Sequence, residues 1–307
     1  MAAGGNLNGQ RTAQSGGGAS HQSSSHAGHA IGADPCSPLY SGAVRIATWN
    51  VNSIRARVER VVAFLERQDV DVLAMQETKC KDEQFPHSAF EAAGYEVAHF
   101  GLNQWNGVAI VSRVGIADVQ QGFADMPQWG DPPVAEARAI SALCGGARVW
   151  SLYVPNGRAL EDPHMAYKLA WLEQLKRDAT GWLAADPGAA IALMGDWNVA
   201  PHDEDVWSME TFEDKTHVST PERAAFVAMN DAGYADVTRE HTPGPGTYTY
   251  WDYTQLAFPK KRGMRIDFCL GSPGLQTRVD DAFIDREERK GKGASDHAPV
   301  VINLTAR

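Results

Sequence analysis

With 307 residues, 43% of them apolar, and only 29 Gly and 16 Pro, the chain can bury a sizeable core and is not low-complexity as a whole. No run reaches the roughly 18 apolar residues that cross a bilayer, and the start, MAAGGNLNGQ, lacks the basic-then-apolar order of a secretory signal. A formal net charge of −10 argues against a passive nucleic-acid binder, which carries a basic excess, yet suits an enzyme whose carboxylates are offset by bound cations. Cys36, Cys80, Cys144 and Cys269 form no C-x-x-C pair, so neither a zinc site nor a disulfide framework is expected, and a reduced cytoplasmic setting fits.

Residues 1–42, dominated by Gly, Ala, Ser, Asn and Gln, hold too few large apolar side chains to fold and read as a disordered tail. His21, His26 and His29 lie in it and are read as solvated rather than metal-binding. A single domain is expected over 43–307. Val44–Thr48 is an apolar run that ends at Trp49-Asn50. Ile54, Val58, Val61, Val62 and Leu65 then recur at helical spacing, with Asn52 or Ser53 placed to cap. Val70–Met75 reads as a strand ending at Gln76-Glu77, and Tyr95–Gly101 and Gly107–Ser112 as two more. Arg138–Cys144 and Ala147–Val154 flank Gly145-Gly146, a hairpin signal. His164–Leu183 carries an amphipathic helix, and Ala189–Met194 a strand that stops at Gly195-Asp196. Thr220-Pro221-Glu222 opens a helix that Gly233 closes. Met264–Leu270, Val279–Ile284 and His297–Leu304 complete the strands. Hairpins and helical crossovers together predict a mixed α/β fold rather than an all-parallel sheet.

At several places an apolar strand ends and polar residues follow at once: Asn50 to Asn52, Gln76-Glu77-Thr78-Lys79, Tyr153 to Gly157, Asp196 to Asn198, and Ser295-Asp296-His297. Asp267 stands inside another apolar run. One such residue ordinarily caps a turn. The whole set describes a loop-built site for a divalent cation and a phosphate. Glu77 can give a hard cation its carboxylate oxygen, and the asparagines can donate to phosphate oxygens. Asp196 can align a water and take its proton. The Tyr153 hydroxyl can donate to a scissile phosphate. His297, paired with Asp267, can hold a fixed tautomer and carry positive charge near a phosphorane.

The segments IATWNVNSIRAR, VLAMQETK, NGVAIVSR, SLYVPNG, LMGDWNVAP, TYTYWDY, RIDFCLGS and SDHAPVV follow one another from about Val44 to Leu304. In content, order and separation they resemble the exonuclease III-like abasic-site endonucleases. The resemblance implies a four-layer α/β sandwich, two mixed sheets face to face with helices outside. It implies a magnesium-dependent nuclease, with manganese able to substitute, that cuts 5′ to abasic sites in duplex DNA, clears blocked 3′ ends and degrades strands 3′ to 5′. By position it makes Tyr153, Asp196, Asn198, Asp267 and His297 catalytic. Asn50, Asn52, Glu77, Asp196, Asn198, Asp296 and His297 become the metal shell, a set that serves one-metal and two-metal schemes alike. Asn156 and Arg158 become DNA contacts. A monomer is expected, cytoplasmic and on the nucleoid when bound to DNA, with no membrane association. The departures are the long tail and the substrate pocket, where Tyr250 and Met264 stand in place of larger aromatics.

Other phosphodiesterases of the wider superfamily are not expected to carry QETK, YVPNG and TYTYWDY together. A catalytically dead regulator on the same fold would have lost one of Glu77, Asp196, Asn198, Asp267 or His297, and all are present. Arg55, Arg57, Lys79, Lys81, Lys260, Lys261, Arg262 and Arg265 flank the motifs and are expected to track phosphates. Tyr250, Trp251 and Met264 are expected to line the pocket for an abasic nucleotide. Strand alternation sends Tyr250 and Trp251 to opposite faces, with Tyr250 favoured toward the site.

Overall fold

The computed structural model describes residues 42–306, so the expected tail lies outside the described residues apart from Gly42. In chain order the principal elements are β1 (Val44–Asn50), α1 (Val58–Arg67), β2 (Val72–Gln76), α2 (His87–Ala92), β3 (Glu96–Phe100), β4 (Val108–Ser112), β5 (Ala117–Gln121), β6 (Ala139–Cys144) and β7 (Ala147–Tyr153). There follow α3 (Pro163–Ala185), β8 (Ile191–Asp196), α4 (Met209–Phe212), α5 (Thr220–Asp231), β9 (Ala235–Asp236), β10 (Asp267–Gly271), α6 (Pro273–Gln276), β11 (Val279–Ile284) and β12 (Val300–Leu304). They form two six-stranded sheets, in the orders β11-β12-β1-β2-β4-β3 and β5-β6-β7-β8-β10-β9. Within each sheet one neighbouring pair is parallel, β1 with β2 and β7 with β8, and the other pairs are antiparallel.

Alternation along the central strands builds four layers. Val44 and Ile46 of β1 face Val149 of β7 and Ala192 and Met194 of β8 in the core between the sheets. Ala47 and Trp49 turn the other way, onto Phe64 and Leu65 of α1 and Phe90 of α2. Ile191 and Leu193 face outward onto Trp171, Leu172 and Leu175 of α3 and Phe226 of α5. Strands covered on both faces read as continuous apolar runs, which is why they stand out in the sequence. Polar bonds also tie the sheets: Gln76 Nε2 donates to Ser151 Oγ at 2.9 Å, and Ser151 Oγ donates to the Met75 carbonyl at 2.7 Å. The Gly145-Gly146 turn joins β6 to β7 with positive φ at both residues, as a two-residue hairpin requires.

Several expectations are corrected. Neither Asn52 nor Ser53 caps α1; both have positive φ, a 3-10 turn intervenes, and Asn52 spends its amide on Asp296. Asp267 begins β10 rather than lying within a strand, because Met264 to Ile266 are engaged by isolated bridges and loop contacts. The TYTYWDY segment forms no ladder strand: Tyr250 is held by single bridges to Met264 and His297. The last strand starts at Val300, three residues past His297. The exposed edge strand β5 and the short α2 carry no signal that the sequence reading caught. Among the described residues, Cys80, Cys144 and Cys269 are buried free thiols, and no helix is long and apolar enough to cross a membrane.

Candidate active site

The two parallel strand pairs explain why distant motifs meet. Parallel neighbours end on the same rim of a sheet, so β1 and β2 deliver Asn50 and Gln76-Glu77 side by side, and β7 and β8 deliver Tyr153 opposite Asp196. The antiparallel β10 starts at that rim, with Asp267 in register with Asp196. The run-up to β12 starts there too, carrying Asp296 and His297. Gly195 makes the close approach possible: its φ is 151°, and a Cβ at that position would stand 1.9 Å from the Leu152 carbonyl oxygen.

Face-to-face packing then closes the site. Asn50 Nδ2 donates to Glu77 Oε1 at 2.7 Å and, across the sheets, to Asp196 Oδ2 at 2.9 Å. Glu77, Asp196 and His297 present ligand atoms that all lie within 4.8 Å of one another. His297 Nδ1 sits 2.9 Å from Asp267 Oδ2, and its Nε2 is 3.8 Å from Asp196 Oδ2. Asp296 accepts from Asn52 Nδ2 at 2.9 Å. The Ser295 hydroxyl ties this loop to the Asn50 carbonyl at 2.7 Å. On the other side, Asn156 Nδ2 donates to Asn198 Oδ1 at 3.1 Å, and Asn198 Nδ2 to the Val154 carbonyl at 2.9 Å.

Burial and charge set the protonation states. Burial pushes the Asp196 carboxyl up to about 7, against the opposing pull of His297. Burial alone would lower His297, but Asp267, then Asp196, outweigh it and raise the imidazole to about 10. Burial would likewise raise Glu77, yet Lys79 and the Asn50 amide hold it below its ordinary range. The Tyr153 hydroxyl is pushed well up by burial and by the Glu77 charge, so it stays a donor; the Arg138 guanidinium lies 4.7 Å over its ring. Glu77, Lys79, Asn198, Asn52, Ser53, Arg158 and His217 all have positive φ without being glycine. Such conformations cost about 1–3 kcal/mol each and cluster where a site over-determines them.

A divalent cation fits this arrangement. The converging ligand atoms are the carboxylate oxygens of Glu77 and Asp196 with the imidazole of His297; carboxylate oxygen suits a hard cation, and the Lys79 ammonium already stands 2.7 Å from Glu77 Oε2, so the position accommodates positive charge.

The remaining expected residues divide. Tyr250 faces the site, its ring 4.9 Å from that of His297. Trp251 turns into the core, buried against Tyr248 and Phe258. Met264 lines a cavity of about 270 Å³ with Arg158, Leu160, Phe212, Thr216 and His217. Arg158 is exposed, 5.8 Å over the Trp129 ring. Lys81, Lys260, Lys261, Arg262 and Arg55 are exposed, Lys81 beside Glu83 at 4.0 Å and Arg262 4.8 Å over the Trp207 ring. Arg265 is not: it is buried, with Nη2 on Thr238 Oγ1 at 2.7 Å and on Asp236 at 3.2 Å. That expectation is withdrawn, since a basic residue beside a core aspartate serves the core. Arg57 is half-engaged, its guanidinium on the Asn52 carbonyl, the Tyr253 hydroxyl and the Ala294 carbonyl.

Three residues of the site escaped the sequence reading. His217 Nε2 lies 3.2 Å from both Asn156 Nδ2 and Asn198 Oδ1, and burial followed by Lys168 lowers its imidazole to about 4, so it is neutral. Behind it, Lys168 and Glu222 form an ion pair with no exposure on either side chain.

Comparison with known proteins gives a consistent picture. A model of the Endonuclease/Exonuclease/phosphatase family matches residues 47–297. Exodeoxyribonuclease III of Haemophilus influenzae is 30% identical over 270 residues, 84% of this chain and 98% of that protein. Among solved structures, the 3′ phosphatase NExo from Neisseria bound to product DNA hairpin superposes with a TM-score of 0.80 at 35% identity, over 85% of this chain and 99% of that one. An AP endonuclease from Archaeoglobus fulgidus gives 0.77 at 34%, over 84% and 98%.

Proposed function

The chain belongs to the endonuclease/exonuclease/phosphatase family and is a phosphodiester hydrolase of the exodeoxyribonuclease III and AP endonuclease kind, and we propose that it is a magnesium-dependent DNA-repair nuclease acting beside abasic sites and at blocked 3′ ends. The observation that carries this reading is the Glu77–Asp196–His297 constellation, within 4.8 Å, with His297 backed by Asp267. Magnesium, held by Glu77 with Asn50, Asn52 and Asp296 around it, would supply positive charge to the phosphate and offset the carboxylates. The protein groups do the rest. Asp196, with a carboxyl near 7, aligns a water and takes its proton at neutral pH. Asn198 holds that water's orientation. Tyr153 and Asn156 donate to phosphate oxygens, and protonated His297 stabilises the charge that develops on the phosphorane. The test is nicking of a duplex with one abasic analogue, together with release of phosphate from a 3′-phosphorylated nick, each with magnesium or with EDTA. Absence of hydrolysis on both substrates with magnesium and with manganese defeats the reading.

Within this activity, one observation favours 3′ termini as the main substrate. His217 stands beside Asn156 and Asn198 and lines one cavity with Met264; we infer that an extruded abasic sugar would have to seat there, against the His217 ring. A 3′-terminal phosphate needs no extruded nucleotide. The NExo structures, described as a 3′ phosphatase and as a 3′-5′ exonuclease, support this preference. His217 has a φ of 79°, which glycine adopts without strain. His217→Gly is therefore expected to fold and to raise abasic-site nicking relative to 3′-phosphate release. An unchanged ratio removes His217 as the barrier.

A further inference from the structure

Lys168 lies on the face of α3 that carries Met165, Trp171, Leu172 and Leu175, all buried. A lysine there is expensive to bury, and the structure answers each of its three hydrogens. Nζ donates to the Asn198 carbonyl at 2.6 Å, to the Asn156 carbonyl at 3.3 Å, and to Glu222 Oε1. Glu222 is equally engaged, accepting from Thr216 Oγ1 at 2.8 Å and the His217 amide at 2.9 Å on Oε1, and from Ser219 on Oε2. A buried ion pair is a poor source of stability, since apolar residues of like volume commonly do as well. Its position is more informative than its energy.

β7 and β8 pair only as far as Tyr153 and Asp196. Past that point the two chains leave the ladder, and each carries one site asparagine, Asn156 and Asn198. Both carbonyls would be buried without a ladder partner. They converge instead on one ammonium. Asn198 is held at a φ of 51°, a left-handed conformation that a residue other than glycine adopts at a cost, while Gly157, after Asn156, takes a φ of 89° freely. The third segment, residues 216–222, is drawn in through Glu222 and brings His217 onto the two amides.

We propose that Lys168, paired with Glu222, is a positioning residue for catalysis: without touching DNA or metal, it replaces the lost ladder between the Tyr153–Gly157 and Asp196–Asn198 segments and so fixes the two amides that hold the phosphate and the attacking water. The inference rests on the proposed nuclease reaction of this site. Lys168→Met alone strands a buried carboxylate and is expected to lower the melting temperature. Lys168→Met with Glu222→Gln removes both charges, restores most of the melting temperature, and leaves the Asn198 carbonyl untied and the Asn156 carbonyl held by the Thr216 hydroxyl alone. Under saturating magnesium the double variant is expected to lose roughly 10- to 100-fold in kcat, the scale of sub-ångström to ångström misplacement, with KM for DNA within about twofold. Recovery of kcat together with melting temperature, or a loss confined to KM, overturns the proposal and leaves a packing pair. If neither variant folds, Lys168→Leu with Glu222→Met, an apolar pair of like volume, decides the question, and parent-like kcat in it likewise overturns the proposal. A parent chain inactive on both DNA substrates refutes the reaction itself, an outcome that the variants do not mimic.

Discussion

Asp267→Asn probes the cation at the centre of the proposed reaction. The substitution keeps the size and removes the charge 2.9 Å from His297 Nδ1. At an effective dielectric of about 20, two unit charges about 4 Å apart attract by about 4 kcal/mol, which is about three pH units of imidazole titration. His297, raised to about 10 in the parent, should fall well below that in the variant, since the largest raising charge is gone. The sign follows from the group being a base: the protonated form is present below its folded value and is lost as pH rises through it. Parent activity attributable to His297 should therefore persist from neutral pH up toward 10, while the variant should lose activity at a lower pH than the parent. Single-turnover pH–rate profiles on the 3′-phosphate substrate at saturating magnesium measure this, and the imidazole resonance of His297 can be titrated in parallel. Identical profiles for parent and variant would show that the Asp267 charge does not govern His297 and would refute the assignment of the imidazolium as the stabilising cation.

Three other perturbations test separate parts of the site. Glu77→Ala should abolish hydrolysis at ordinary magnesium and recover partly with excess metal, because one carboxylate of the ligand cluster is gone; full activity of the variant in EDTA rules out the metal role. DNA affinity should fall steeply with salt despite the net acidity, by about 0.9 log unit per log unit of salt for each phosphate neutralised, as read by fluorescence anisotropy; a salt-independent Kd contradicts a role for Arg55, Lys81, Lys260, Lys261 and Arg262. Tyr250→Ala and Trp251→Ala should separate: truncating buried Trp251 should cost about 3–5 kcal/mol of stability, whereas Tyr250→Ala, beside His297, should change the ratio of abasic to intact DNA cleavage with a smaller effect on melting. Equal stability losses with no change in that ratio assign Tyr250 to packing.

What the sequence made legible follows from burial. β1, β2, β7 and β8 are largely covered on both faces, so each shows as a mainly apolar run, and at or just past their ends stand Asn50, Glu77, Tyr153 and Asp196. β5 stayed hidden because all five of its residues are exposed and an edge strand with no covered face has no alternation to read. TYTYWDY did alternate, and misled for that reason: its Tyr250 and Trp251 do face opposite ways, but from a loop fixed by bridges rather than from a ladder. Lys168 and Glu222 were invisible for a different cause. A lysine on a helix ordinarily marks the solvent side, and only the fold brings its partner, 54 positions away, beneath the same two loops. His217 follows no apolar run at all. The only local signal for it was a histidine three residues before the start of a helix, which on its own means nothing.

That division has a physical cause. The groups proposed to bear charge in the reaction must be carried to one rim by strands in fixed register, since a one-residue slip turns every side chain to the opposite face. Register leaves a trace in the sequence, as the length of an apolar run and as a glycine such as Gly195 that only a close strand approach explains. The groups proposed to aim the reaction, Asn156, Asn198 and His217, sit beyond the ladders, where no periodicity constrains the chain. Their geometry is set by side chains that reach in from elsewhere, Lys168 from α3 and Glu222 from α5. Chemistry can therefore be read from the ends of strands, while substrate preference resides in loops whose anchors are visible only once the helices are in place.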